Sequence, residues 1–347
     1  MKKALSVLIC ILVMLGIFTV MPFGVSAEES DLAEVGDVTS GTTGDCTWTL
    51  SDSVLTISGS GMMGDYDNSA AETRSPWRYK NFTEAVVKNG VTYIGKNALA
   101  ECYYLKKVTL PDSITNIGER AFHFSTALQS VNIPSSVKRI GEYAFYACHN
   151  LEKVNIPEGV MSIDKSTFYS CRSLKSVIIP GGVQYIGKYA FYQCTGIKSA
   201  VIPDSVKTID EYAFNNCPEL LRVTVPSSVT SIGSVALGYD GHKKIAGFTI
   251  YGEKDSAAEK YAKDNGFTFI EGVAPMFMLG DTDGDGEISI VDATAIQRWL
   301  AKLPTKSFNE AAADADSDQE ITIGDATAIQ RYLAQLSCPD DIGTLIS

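Results

Sequence analysis

The sequence lacks most of what marks a catalyst. It has three histidines, His123, His149 and His242, and none lies in a nucleophile motif. There is no G-x-S-x-G, no H-E-x-x-H and no glycine-rich phosphate loop. Its eight cysteines include no C-x-x-C pair, the spacing that would suggest a metal site. Bases are scarce, with 29 Lys and Arg against 41 Asp and Glu. That balance argues against nucleic acid or an anionic membrane as partner, because phosphate binding needs clustered cations. A carboxylate pair for glycoside hydrolysis leaves no sequence signature and stays open.

Only one long apolar run is present, and it opens the chain. The stretch "MKKALSVLICILVMLGIFTVMPFGVSA" has two lysines, an apolar segment and a small-residue end at Val25-Ser26-Ala27. It reads as a secretory signal peptide over residues 1–27, rather than as a membrane anchor of similar length. Cys10 lies inside the run, too early for a lipoprotein cleavage site. Since no second run follows, the processed chain should be secreted, soluble and not membrane-spanning. Without Lys2 and Lys3, 27 bases face 41 acids, a net charge of −14. From Gly280 onward there are 13 acids and 4 bases, so much of the charge sits in the last fifth.

Isoleucine recurs at Ile94, Ile117, Ile140, Ile163, Ile186, Ile209 and Ile232, each step being 23 residues. Gly or Asp follows every time. The clearest unit reads "IGEYAFYACHNLEKVNIPEGVMS". So strict a period means a solenoid whose units bury their apolar faces only against neighbours. In "LEKVNIP", Leu151, Val154 and Ile156 should point inward and Pro157 should end a strand. "EYAFYAC" should be a short helical or turn segment carrying Phe145 into the core. Strands stacked roughly 4.8 Å apart would form one long parallel sheet. The residues between the inward ones should face out: Lys107 and Thr109, Ser130 and Asn132, Lys153 and Asn155, Ser176 and Ile178, Ser199 and Val201, Arg222 and Thr224.

These units resemble leucine-rich repeats of the BspA-like type, an α/β solenoid in which short helical turns back a parallel sheet. The expected division is an N-terminal β cap over 28–93, repeats with a C-terminal cap over 94–272, and a linker over 273–279. "CTWTLSDSVLTISGSGMM" and "SPWRYK" resemble the family's opening cap. "DSAAEKYAKDNGFTFI", a helix stopped by Gly266 and then a last strand, resembles its closing unit.

Cys102, Cys148, Cys171, Cys194 and Cys217 share one register, with Ser125 filling the gap. An odd number leaves at least one unpaired, so a buried ladder of reduced thiols is expected rather than disulfides. The pairing of Cys46 and Cys338 stays open. Tyr146, Tyr169 and Tyr192 share another register. They would either cover the core edge or present rings to a sugar or protein.

"DTDGDGEISIVD", Asp281 to Asp292, sets acids at positions one, three, five and twelve of a twelve-residue loop. Ca²⁺ takes six to eight oxygen ligands, and such a loop can wrap one ion. Asp281, Asp283 and Asp285 would give carboxylates and Glu287 its carbonyl. Ser289 would act through water, Asp292 would close the shell, and Gly286 would allow the turn. "ATAIQRWLAKL" follows, with Ala293, Ile296, Leu300 and Leu303 at one helical face. A copy begins 33 residues later with Asp314, Asp316, Asp318, Glu320, Thr322 and Asp325. Over 281–303 and 314–336, 16 of 23 positions are identical. Gln319 replaces Gly286, so the second loop should hold Ca²⁺ more weakly.

Two such loop–helix halves, each closed by Asp, resemble a type I dockerin over about 279–340, and the dockerin module is expected over 280–347. The resemblance implies calcium as cofactor (two ions), a cohesin module of a scaffolding protein as partner, and a cellulosome-type polysaccharide-degrading assembly as setting. Its recognition positions fall on Ile290, Val291, Gln297, Arg298 and Lys302, and in the copy on Ile323, Gly324, Gln330, Arg331 and Gln335. Many members carry Ser or Thr at the tenth and eleventh loop positions, which this chain does not. The expected function is therefore non-catalytic. The dockerin would attach the chain and the solenoid would hold an unknown protein or glycan. The alternatives are a polysaccharide-degrading enzyme or a surface adhesin anchored through the dockerin.

Overall fold

The structure is a computed structural model. It describes residues 39–347 apart from 68, 71–72, 274–276, 279, 281, 283–287, 306–307, 317–319, 337–341, 343–344 and 347. The signal-peptide reading and Cys338 therefore lie outside the described residues. Among the described residues no helix is long and apolar enough to cross a membrane.

The described residues open with an antiparallel meander, β1 (Ser40–Thr43), β2 (Cys46–Ser51) and β3 (Val54–Gly59). β3 then pairs in parallel with β5 (Glu84–Val87), which starts the solenoid. Trp77 anchors this end. Its ring is fully buried, packs edge-on against Trp48 at 5.5 Å, and its Nε1–H donates to the carbonyl of Ala98 at 2.7 Å. A buried indole needs such a partner.

Each 23-residue rung contributes two short strands. The expected ladder contains β7 (Lys107–Thr109), β9 (Ser130–Asn132) and β11 (Lys153–Asn155), then β13 (Ser176–Ile178), β15 (Ser199–Val201), β17 (Arg222–Thr224), β21 (Thr249–Gly252) and β22 (Thr268–Glu271). A second parallel ladder carries the register isoleucines. Its members are β4 (Gly61–Met62), β6 (Val91–Ile94), β8 (Asn116–Ile117) and β10 (Arg139–Ile140), then β12 (Ser162–Ile163), β14 (Tyr185–Ile186), β16 (Thr208–Ile209) and β18 (Ser231–Ile232), while β19 (Tyr239–Asp240) and β20 (Lys243–Lys244) form a separate antiparallel pair. The single expected sheet is thus two faces, each of two parallel sheets, because among the described residues β11 does not pair with β13 nor β10 with β12. The isoleucines and the Leu151-type residues meet in one core between them.

The third side of the rung takes the turn form rather than the helical one. Within a rung, Ala144 N–H donates to the Gly141 carbonyl and Cys148 N–H to that of Phe145. Alternate amides reach the next rung instead: Tyr143 to Lys165 at 3.0 Å, Phe145 to Thr167 at 2.9 Å, Ala147 to Tyr169 at 2.7 Å. That alternation requires left-handed backbone twice per rung, as at Tyr143 (φ 57°) and Ala147 (φ 56°), then Ser166 (φ 54°) and Ser170 (φ 59°). A side chain there costs about 1–2 kcal/mol; the bond to the neighbouring rung offsets it. Rungs also approach closely at the glycine after the isoleucine. A Cβ on Gly141 would sit 2.6 Å from the Glu119 nitrogen.

The solenoid closes with α1 (Ala257–Asn265). Ser256 caps its start and left-handed Gly266 (φ 63°) ends it, its N–H reaching the Ala262 and Lys263 carbonyls. A separate small core follows, built from Ala293, Ile296, Ala326, Ile329 and Ile342. It joins α2 (Ile290–Leu300) to α4 (Ile323–Leu333), with the short α3 (Glu310–Ala313) between them in sequence. Buried alanines on both helices let the two backbones come close.

Candidate functional site

Each long helix of the C-terminal unit begins with a reciprocal cap. Ser289 Oγ accepts from Val291 N–H at 3.1 Å, and Ser289 N–H donates to Asp292 Oδ2 at 2.8 Å. The copy repeats this with Thr322 Oγ1 and Gly324 N–H at 2.9 Å, and Thr322 N–H and Asp325 Oδ2 at 2.7 Å. The second oxygen of each aspartate reaches back into its loop. Thr282 N–H donates to Asp292 Oδ1 at 2.6 Å, and Asp316 N–H to Asp325 Oδ1 at 3.2 Å. Both aspartates are fully buried. The twelfth loop residue therefore closes the loop and starts the helix at once. Sequence reasoning assigned it the first role only, and the Ser or Thr three residues earlier, with Asp at N3, was the missed capping signal.

Among the described residues, Asp314, Asp316 and Asp325 converge. One carboxylate oxygen from each lies within 4.8 Å of the other two. Three anions this close repel one another, and a bound cation relieves that repulsion. An all-oxygen set suits a hard cation such as Ca²⁺. Glu320, the seventh loop residue, is exposed. Asp281, Asp283, Asp285, Glu287 and Asp318 lie outside the described residues, as do Gly286 and Gln319. The hydroxyls of Ser289 and Thr322 are engaged as helix caps.

The positions expected to contact a partner cluster at both ends of the two helices. Ile290, Val291 and Ile323 are exposed at the first turns, with Gly324 half-buried. Gln297, Arg298, Gln330 and Arg331 are exposed on the last turns. The Arg298 guanidinium donates to the Pro304 carbonyl through Nε at 3.0 Å and Nη2 at 2.6 Å, which holds the following turn. Lys302 (φ 55°) and Gln335 (φ 56°) are the left-handed residues that end the two helices. Leu303 N–H then returns to the Arg298 carbonyl at 2.8 Å, and Leu336 N–H to that of Arg331 at 2.9 Å. Nothing in the sequence signals these ends, where glycine is usual.

One expectation is corrected here. Leu300 and Leu303 do not share the buried face with Ala293 and Ile296; Leu303 is 52% exposed and Leu300 37%. Leu303 follows the left-handed Lys302, so helical spacing no longer applies to it. Trp299 turns inward instead and stacks on Phe308 at 5.4 Å.

On the solenoid, the outward strand residues from Lys107 to Ile178, and Val201, are exposed as expected, while Arg222 and Thr224 are half-buried. The thiols of Cys102, Cys148, Cys171, Cys194 and Cys217 are buried and reduced, as is Cys46. Tyr146, Tyr169 and Tyr192 stack face to face at 4.4 and 4.8 Å. Their faces are spent on one another, leaving edges for a ligand. Glu101 receives hydrogen bonds from Tyr79 and Tyr103 (2.9 and 3.1 Å) and pairs with Arg78. Burial alone would raise its pKa, but these partners hold it below the usual carboxylate range. That is opposite to the shift a general acid needs.

Two family models match stretches of the chain. The model of the BspA type leucine-rich repeat region matches residues 74–198 and 115–241, in six copies. The type I dockerin domain model matches residues 279–334. Similar solved structures include a leucine-rich repeat protein from Eubacterium ventriosum (23% identity, 62% of this chain and 73% of that one, TM-score 0.39). Another is a leucine-rich cell surface protein from Faecalibacterium prausnitzii (26% identity, 56% and 72%, TM-score 0.35). A third is the T. pallidum leucine-rich repeat protein (18% identity, 67% and 98%, TM-score 0.37). No curated protein matches the chain. Neither matched module is catalytic, dockerins of this type bind calcium, and both modules are typical of extracellular or cell-surface proteins. The chain thus carries a BspA type leucine-rich repeat region followed by a type I dockerin domain.

Proposed function

We propose that this protein is a secreted, non-catalytic component of a cellulosome-type, polysaccharide-degrading assembly. Its dockerin binds two Ca²⁺ ions and plugs into a cohesin module of a scaffolding protein. Its solenoid carries a protein or glycan ligand into the assembly. The observation that carries this reading is the duplicated unit in which a fully buried aspartate, Asp292 or Asp325, ties a loop to a helix start.

Asp314, Asp316, Asp318 and Asp325 would hold one ion with the Glu320 carbonyl, Thr322 acting through water. Asp281, Asp283, Asp285, Glu287, Ser289 and Asp292 would hold the other. The cation supplies the positive charge that lets these carboxylates crowd together. The docking face comprises Ile290, Val291, Gln297, Arg298 and Lys302, or their counterparts Ile323, Gly324, Gln330, Arg331 and Gln335.

The test uses the full chain after signal removal. In calcium it should bind a panel of scaffold cohesins, with binding lost on chelation and restored by adding Ca²⁺. It should release no reducing sugar from plant polysaccharides. Turnover by the pure protein would sink the non-catalytic reading, and calcium-independent cohesin binding would sink the dockerin role.

A further inference from the structure

The outward row of the long ladder changes chemistry along its length. On early rungs it carries Asn132 paired with Asn155. On later rungs it runs Ile178, Val201, Thr224, Tyr251, Ile270, each register-paired with the next. Ile178 is 75% exposed, Val201 37% and Ile270 43%. A single exposed aliphatic residue needs no explanation. Three in one register across five strands, spanning about 19 Å, form a band with no inward purpose.

A cleft of about 410 Å³ opens on this band. Val201 and Thr224 of the row line it, with Gly252 and the exposed Val273. Among the described residues its charged lining is Asp204 and Glu253, both acidic, with no Lys or Arg. Glu253 Oε1 accepts from Ser227 Oγ at 2.8 Å, which fixes one carboxylate at the rim. Aliphatic surface with two acids and no base complements an apolar group next to a cation. A neutral glycan meets it poorly: sugar rings stack on exposed aromatic faces, and the band's one ring, Tyr251, is half-buried.

We propose that this band and cleft dock a polypeptide segment bearing a large aliphatic side chain beside a lysine or arginine. The proposal rests on the solenoid being the ligand-carrying arm, and it commits that arm to protein rather than glycan. The aliphatic side chain lies on Ile178 and Val201, and the cation reaches Asp204 and Glu253.

The test uses the full chain in calcium, with short synthetic peptides alternating leucine and lysine, leucine and glutamate, or serine and lysine, and with cellohexaose. The leucine–lysine peptide should bind, and its two analogues should bind at least about tenfold more weakly, the loss of roughly one contact. Ile178→Ser, Ile178→Asp and the pair Asp204→Asn with Glu253→Gln should each weaken it by a similar factor while leaving thermal unfolding unchanged. Equal binding of any two peptides, no binding of the leucine–lysine peptide, or indifference to the variants would overturn the proposal. Displacement by cellohexaose, or a wild-type dimer that Ile178→Asp dissociates, would reassign the band and equally overturn it. Cohesin binding measured on the same samples reports separately on the dockerin reading.

Discussion

The thiol of Cys148 donates to the carbonyl of Phe122, 3.2 Å away and 26 residues earlier in the chain. Cys171 does the same to Phe145, Cys194 to Phe168 and Cys217 to Phe191, at 3.1–3.2 Å. Where the register holds Ser125, its hydroxyl takes the equivalent bond to Leu99 at 2.6 Å. The ladder is therefore a hydrogen-bonding device as well as a packing one. Cys171→Ser should cost about 1 kcal/mol or less, because serine keeps the bond. Cys171→Ala should cost about 2–3 kcal/mol, because it removes the bond and leaves a void. Urea unfolding of the two variants checks the order, and a larger loss for serine would refute it.

Burial pushes these thiols upward, Cys217 from its ordinary value near 9 to about 12. Between those values the unfolded chain has lost the proton and the native one keeps it. Stability from this source is present below pH 9 and falls as pH rises toward 12. Native protein should resist a thiol-specific reagent at pH 8 and react only on unfolding; rapid native labelling of Cys171 would contradict this.

His123 provides the acid counterpart. Burial, helped by the nearby Arg120 charge, lowers its pKa to about 4, and its ring stacks on Tyr146 at 4.9 Å. The unfolded chain takes up a proton near pH 6.5 that the native chain refuses. Stability from this source is present above pH 6.5 and is lost as pH falls toward 4. His123→Phe should flatten the decline of the solenoid's unfolding free energy across that window. An unchanged slope would rule the histidine out as its cause.

Chelation should separate the two cores. The small core around Ile296 and Ile329 depends on loops held by the buried carboxylates of Asp292 and Asp325, whereas among the described residues no carboxylate is buried in the solenoid core. Removing Ca²⁺ should melt α2 and α4 and leave the solenoid's transition in place. Two transitions merging into one on chelation would show that the cores are not independent.

The helix ends and the cap separate stability from binding. Lys302→Gly and Gln335→Gly should each stabilise the calcium-loaded unit by about 0.5–1 kcal/mol, since both positions are left-handed. Thr322→Ala should cost about 1 kcal/mol through its cap, while Asp316→Asn should mainly weaken Ca²⁺ affinity. Calorimetry and thermal unfolding on the same variants distinguish these effects. Equal loss of affinity in Thr322→Ala and Asp316→Asn would contradict the division of roles.

Docking should tolerate the loss of either helix's arginine. Arg298 and Arg331 sit at matching places on near-identical helices, so Arg298→Ala or Arg331→Ala alone should cost little cohesin affinity. The double variant should lose much more than the sum. Additive losses would exclude use of both faces. Arg298 also holds the Pro304 turn, so Arg298→Ala should in addition lower the melting point of the unit, as thermal unfolding of that variant would show.

The 23-residue period, the buried cysteine register, the stop at Gly266 and the acids of two duplicated loops were all legible in the sequence, because each is a local pattern. A rung repeats the chemistry of its neighbour, so periodicity alone reports which residues stack. The tertiary structure decided what the neighbours do with that pattern. Hydrogen bonds from Tyr143, Phe145 and Ala147 to the next rung hold the third side as left-handed turns. Tyr146, Tyr169 and Tyr192 spend their faces on each other because the rungs bring the rings within 5 Å. Leu303 leaves the helical face because Lys302 ends the helix one residue earlier. Asp292 and Asp325 acquire a second role because folding brings loop and helix amides onto their buried carboxylates. Sequence spacing records what a residue is beside along its own chain, and these outcomes depend on what packs across from it.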